Sequence, residues 1–180
     1  MRVLIMILAL AISAGCASSR PATPESMAQP ASYRDELSPP SELPELDARV
    51  VPPIGWKTDL SETTPRHSQS VWVSPTGSAA FGVIHFNLPL PVGEEIALRA
   101  FLAEMKKSEG EATLLSKNRD GDRLRFVAEG GKYRIRGILL TKGFQGWAVY
   151  AGTLRSRALA VDELALAVQA RENTALGLDR

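Results

Sequence analysis

The sequence has a single cysteine, Cys16, among its 180 residues. One cysteine cannot form a disulfide within the chain, and it cannot supply a zinc site built from several thiolates. Because Cys16 is the single cysteine and lies close to the N-terminus, residues 17–180 contain no thiol. A disulfide-stabilised fold and a Cys-rich metal centre are therefore excluded.

Histidine is also scarce. The two histidines, His67 and His85, lie 18 residues apart, and neither has a neighbouring cysteine or a His-x-x-His partner. A metal site needs several such ligands close together, so we expect structural roles for both and no metal or cofactor. The Gly-x-Ser-x-Gly sequence of serine hydrolases is absent, and no nucleophile–base pair is visible. We expect a protein that is not an enzyme.

The chain has little excess charge of either sign, with a net charge of +1. The charge is unevenly placed: residues 17–47 hold 2 basic and 6 acidic side chains, a net of −4, and residues 48–180 hold 18 and 14, a net of +4. Nucleic-acid-binding domains are usually much more basic. A nucleic-acid partner is therefore not expected.

The N-terminus has the features of an export signal. Met1 and Arg2 are followed by ten apolar residues, 3–12, and then by Ser-Ala-Gly before Cys16. A short charged region, an apolar core and small residues before a cleavage site are typical of a secretory signal. The apolar run is too short for a transmembrane helix, which needs roughly 20 residues.

Residues 13–16 resemble the lipobox of bacterial lipoproteins, in which small residues precede an invariant cysteine. The resemblance implies a signal peptide over 1–15, cleavage after Gly15 and a diacylglyceryl thioether on Cys16, so that the chain is held on a membrane. Ala17, which is not aspartate, implies the periplasmic face of the outer membrane where a cell has two membranes. Ser13 departs from the aliphatic residue that is commonest there, and ordinary signal cleavage with a free cysteine is the alternative.

A Pro-rich segment follows the cysteine. Residues 17–47 hold six of the twelve prolines, with Ser, Ala and Glu filling most of the remainder. Such a composition buries too little apolar surface to offset the entropy of ordering the chain. We predict that residues 16–47 are a lipidated, disordered tether and that a single domain occupies 48–180.

The remaining sequence predicts an α+β domain. Two helices are expected, over 94–108 and 157–176, each with an apolar stripe at helical spacing. Seven strands are expected, at 54–57, 69–73, 79–88, 112–119, 123–129, 132–141 and 144–153. Because short turns join most of them, the sheet should be mainly antiparallel, with both helices packed on it.

This order of elements resembles the PsbP-like fold, the α/β/α sandwich of an extrinsic photosystem II protein and its bacterial relatives. The resemblance is carried by Pro-Ile-Gly-Trp at 53–56, by a helix after three strands, and by Gly-Trp-Ala-Val-Tyr-Ala-Gly at 146–152. It spans residues 50–176 and implies an accessory, stabilising or assembly role without catalysis. Nothing in the sequence suggests photosynthesis.

The hairpin around Gly130-Gly131 predicts a cationic face. A two-residue loop would place Arg125 opposite Arg136, on one outward face shared by Arg123, Arg125, Arg134 and Arg136. The other face, with Phe126 and Ile135, should be buried. Like charges directly opposed are unfavourable, so solvent, acidic neighbours or an anionic partner must offset them. Such a partner could be a phospholipid headgroup, lipopolysaccharide or an acidic protein.

Two functions remain open from the sequence. The first is a lipid-anchored envelope protein with a non-catalytic interaction or assembly domain. The second is a carrier that binds a small ligand or lipid in a cavity between sheet and helix. A cavity of a few hundred Å³ would favour the carrier, and a filled core would favour the interaction domain.

Overall fold

The computed structural model describes residues 33–155 and 161–177. Within these residues, two α-helices and ten strands follow one another. Their bounds are β1 (Ser41–Leu43), β2 (Ala48–Val50), β3 (Lys57–Thr63), β4 (His67–Val73), β5 (Ala79–Asn87), α1 (Glu94–Glu109), β6 (Thr113–Asp120), β7 (Arg123–Gly130), β8 (Tyr133–Lys142), β9 (Gln145–Leu154), α2 (Val161–Asn173) and β10 (Ala175–Leu176). Short 3-10 helices occupy Tyr33–Glu36 and Pro44–Leu46.

Seven of the strands form one antiparallel sheet in the order β3-β4-β5-β9-β8-β7-β6. The predicted α+β class, with its antiparallel sheet and two helices, is confirmed. The strands of this sheet have two common ends. We call one of them the tip end, and it carries the connections β3–β4, β5–α1, β6–β7 and β8–β9. The opposite end carries the turns β4–β5 and β7–β8.

Each face of the sheet has its own apolar core. On one face α1 packs through Ala97, Leu98, Phe101 and Met105, which lie at helical spacing. Their partners on this face are Val71, Ile84, Leu124, Phe126, Ala128, Ile135, Leu139, Ala148 and Tyr150. In β7 alternate residues are buried here, as the two-residue period of a strand requires.

The second core lies under α2. Leu164, Ala167 and Ala170 of the helix meet Phe81, Val83, Ile138, Val149 and Ala151 of the sheet. The small alanines let the helix approach closely, and the sheet is therefore covered on both faces. Among the described residues, no helix is both long and apolar enough to cross a membrane.

The predicted start of the domain at residue 48 is wrong. Leu46 is fully buried in the α2-side core, and its backbone oxygen accepts a hydrogen bond from the Trp147 indole at 3.1 Å. Strands β1, β2 and β10 form a small second sheet beside it. The segment is ordered because a few leucines between its prolines fill a gap in the core. Residues 16–32 of the predicted tether, including Cys16, lie outside the described residues.

Two element boundaries also differ from the predictions. The predicted first strand at 54–57 begins only at Lys57, because Ile54 and Gly55 form a turn in which Gly55 has a φ of 78°. The last helix ends at Asn173 rather than 176, and Ala175–Leu176 pair with β2. The predicted helical residues 157–160 lie outside the described residues.

Candidate functional site

The hairpin of β7 and β8 places the four predicted arginines on one face but in another register. Val127 lies opposite Arg136, and Arg125 lies opposite Ile138. The expected juxtaposition of Arg125 and Arg136 is therefore wrong. The reason is the turn: Gly130 pairs with Tyr133, so the loop residues are Gly131 and Lys132. A positive φ of 46° at the first loop residue favours a glycine there.

The register differs by two residues, so the assignment of side chains to faces is unchanged. Phe126 and Ile135 are buried against α1, and the four arginines lie on the α2 side. This side is not an open cationic surface, because α2 and the N-terminal segment cover much of it. Arg123 and Arg136 are half-buried, opposite Leu140 and Val127.

Arg125 is neutralised by acidic neighbours. Its Nη1 and Nη2 donate to the two carboxylate oxygens of Glu172 at 2.6 and 3.0 Å. Its Nε donates to Asp120 at 3.1 Å. The hydrogen bond to Glu172 raises the pKa of Arg125. Burial opposes ionisation of Glu172, but hydrogen bonds from Arg125 and Arg171 outweigh it and lower the pKa of that carboxyl. A bidentate pair of this kind is directional and strong.

Arg134 and the neighbouring Arg171 also contact acidic side chains. Arg134 lies directly opposite Glu129 on the neighbouring strand and donates to it through Nε at 2.5 Å. Arg171 donates through Nη1 to the backbone oxygen of Arg136 at 3.1 Å and through Nη2 to Glu172 at 2.5 Å. Burial lowers the pKa of Arg171. Acidic neighbours therefore offset the charge of Arg125 and Arg134 within the chain itself.

Sequence reasoning missed the acidic half of this network. Glu172 is 47 residues from Arg125, and Arg171 and Glu172 look like ordinary polar residues in the last turn of a helix. Only the path of α2 across the sheet brings them together. One signal could have pointed to them: four arginines that cluster on one face need acidic side chains nearby to offset their charge.

Both histidines occupy structural positions. His67 is buried, and its Nδ1 lies 3.0 Å from the Thr64 hydroxyl. His85 stacks on the indole of Trp147 with ring centres 5.2 Å apart and planes 14° apart. Within 33–155 and 161–177, no group of three or more His, Cys, Asp or Glu side chains could hold a metal ion.

A small pocket lies on the α1 side of the sheet, near the opposite end. Two tyrosines, Tyr133 and Tyr150, line it together with apolar residues that include Leu60, Val71 and Ile135. Its cavity volume is about 40 Å³, which is room for a few waters. Sites for drug-sized ligands have roughly 300–1,000 Å³. This pocket is therefore too small to enclose a lipid or a cofactor.

No family model matches the sequence, and no curated protein matches it. Among solved structures, the chain is similar to the solution structure of cyanobacterial PsbP (CyanoP) from Synechocystis sp. PCC 6803. The TM-score is 0.56 at 14% identity, over 78% of this chain and 92% of that one. A crystal structure from Bacteroides thetaiotaomicron VPI-5482 matches with a TM-score of 0.39 at 12% identity, over 72% and 45% of the two chains. The likeness to CyanoP shows that the described residues have the PsbP-like α+β fold.

Proposed function

We propose that this chain is a lipid-anchored protein of the bacterial cell envelope whose α+β domain is a non-catalytic interaction or assembly module. The observation that carries the proposal is the filling of both faces of the sheet by apolar side chains, beside a pocket of only about 40 Å³. Such a domain offers its surface to other molecules rather than an interior site. The PsbP-like fold supports the same role, because that resemblance implies accessory or assembly functions.

The anchor rests on the first 16 residues. A single acyl chain holds a protein only marginally, and two or three chains hold it stably. A diacylglyceryl group on Cys16 would supply at least two. The composition of residues 17–32 predicts a flexible chain, and sixteen residues of such a chain have an average span of roughly 20–24 Å. The domain would therefore stand close to the bilayer that carries it.

The carrier alternative is weaker, because the cavity is an order of magnitude smaller than a lipid needs. It makes a distinct prediction: organic extraction of the purified protein should release one small molecule in near-stoichiometric amount. The interaction module predicts no such molecule. It predicts instead that crosslinking in intact envelopes joins the domain to a discrete partner.

The anchor is tested by labelling and fractionation in a bacterial host. We expect the wild-type chain to incorporate labelled palmitate and to sediment with membranes, and Cys16→Ser to take up no label and to retain its signal. Ser13→Leu, which restores the commonest lipobox residue, should speed processing. Equal labelling of wild type and Cys16→Ser, or cleavage of the wild type without label, would contradict the lipid anchor.

A further inference from the structure

Three of the four connections at the tip end of the sheet are linked by hydrogen bonds. They are the β3–β4 turn (64–66), the β5–α1 loop (88–93) and the β8–β9 turn (143–144). The backbone N–H of Asn87 donates to the Arg66 oxygen at 2.8 Å, and that of Leu88 donates to the Phe144 oxygen at 2.6 Å. These bonds fix the three connections as one structural unit.

Two large apolar side chains project from this unit into solvent. Leu90 is 65% exposed and Phe144 is 60% exposed. Pro65, Pro89 and Pro91 are exposed around them. We call Leu90, Phe144 and these prolines the apolar tip. Apolar side chains exposed next to one another mark a binding surface more often than scattered single ones do.

The same end carries more apolar surface. Ile96, in the first turn of α1, is 55% exposed, and the loop that leads to it contains no charged residue between Asn87 and Gly93. Three of the six exposed large hydrophobic residues in the described part of the chain therefore lie at the tip end. The other three are spread over α2, the segment before β3, and the edge strand β6.

Two basic side chains flank the apolar tip. Arg66 lies in the β3–β4 turn and Lys142 ends β8, and both are exposed. The β6–β7 turn with Asp120 and Asp122 lies beside the end of β8. The nearby acidic side chains of Glu94, Glu95 and Asp120 are paired with Arg119, Lys117 and Arg125. An anionic surface would therefore be met by Arg66 and Lys142 beside the apolar tip.

We propose that the apolar tip inserts into the interfacial layer of an anionic phospholipid bilayer. Apolar and aromatic side chains gain by entering the headgroup–acyl boundary, and flanking cations are attracted to anionic headgroups. A phospholipid surface accepts both at once. This inference builds on the proposed function, because the lipid anchor would supply the bilayer.

The length of the tether permits this contact. Sixteen residues, 17–32, reach at most roughly 53–58 Å when extended, and a ten-residue strand such as β8 is about 33 Å long. The tip end can therefore meet the anchoring bilayer whichever end of the sheet the tether leaves. Because the anchor makes the second contact intramolecular, it raises the effective concentration of the tip at the bilayer and strengthens this contact.

The test separates the tip from the anchor. Residues 17–180 lack the signal and Cys16 but keep every described residue and both cores. We measure their flotation with vesicles of phosphatidylethanolamine and phosphatidylglycerol, and with vesicles of phosphatidylcholine alone. Binding to the anionic vesicles is expected, and it should fall about tenfold or more in Leu90→Ser/Phe144→Ser. Arg66→Ser/Lys142→Ser should weaken binding to anionic vesicles only.

The matched control is Ile54→Ser/Val161→Ser, which removes side chains that are 59% and 65% exposed. Both lie away from the tip end: Ile54 precedes β3, and Val161 opens α2 beside Glu163, which bonds to the β4–β5 turn. The control should bind within about twofold of wild type. Absence of binding by the wild-type fragment, or an equal loss in the control, overturns the tip proposal. Either result leaves the anchor untouched, because this fragment lacks Cys16.

Discussion

Replacing Leu46 by alanine tests the finding that the Pro-rich segment belongs to the folded domain. Leu46 is fully buried in the α2-side core, and the 3-10 helix that carries it packs against β4 and β5. Leucine-to-alanine substitutions at enclosed sites cost roughly 2–5 kcal/mol, because transfer free energy is lost and a cavity remains. We expect Leu46→Ala to lower the free energy of unfolding by about 3 kcal/mol.

The assay is equilibrium urea unfolding of residues 17–180, followed by circular dichroism and tryptophan fluorescence. The control is Glu45→Ala, at the exposed neighbouring position, which should change stability by less than about 0.5 kcal/mol. If the segment were a solvated tether, Leu46→Ala would change the free energy of unfolding as little as Glu45→Ala does. A loss below about 0.5 kcal/mol for Leu46→Ala would therefore refute the packed segment.

Three further predictions concern the sheet and its ionic contacts. Glu172→Gln should lower the free energy of unfolding by about 1 kcal/mol. A double-mutant cycle with Arg125→Gln should give a coupling energy of about that size, and zero coupling would contradict the ion pair. Gly137→Ala should cost roughly 1–3 kcal/mol, since its Cβ would lie 2.2 Å from a buried phenylalanine ring. Gly152→Ala, with nothing closer than 3.9 Å, should be nearly neutral in the same urea assay. Burial opposes ionisation of Glu163, but hydrogen bonds from hydroxyl groups outweigh it and lower the pKa of this carboxyl. The contribution of ionised Glu163 to stability is therefore complete above about pH 5 and is lost as the pH falls. In Glu163→Gln, the free energy of unfolding measured with urea should depend less on pH between about pH 5 and 3. The same pH dependence as in the wild type would contradict this role of Glu163.

The fold could be predicted because its elements are locally encoded. The apolar stripe of α1 and the alternation in β7 indicate which side of each element is buried before any partner is known. Short turns then limit the sheet to antiparallel neighbours. For this reason the predicted α+β class, with its antiparallel sheet and two helices, agrees with the structure.

The N-terminal boundary was missed because composition describes a segment on average. A few buried positions, chiefly Leu46, decide whether residues 33–47 are ordered. The prolines do not prevent this packing: Pro44 opens a 3-10 helix, where a missing N–H costs nothing. No pattern within the segment shows that the core around Trp147, 101 residues after Leu46, has space for it.

The arginine face shows the same limit for long-range contacts. Strand periodicity correctly placed the four arginines on one face, but the turn position and the acidic partners depend on tertiary geometry. Glu129 lies directly across the hairpin from Arg134, and Glu172 arrives on α2. In the cationic surface expected from β7 and β8 alone, Arg125 and Arg134 are therefore paired with acidic side chains of the same chain.

The mass of the N-terminal peptide tests the central claim most directly. The protein is extracted from bacterial membranes with detergent, digested, and analysed by mass spectrometry. The account predicts that the mature chain begins at Cys16 and that this residue carries a diacylglyceryl group. An N-terminal peptide with an unmodified Cys16 thiol, or one that begins at Met1 or Ala17, would contradict it.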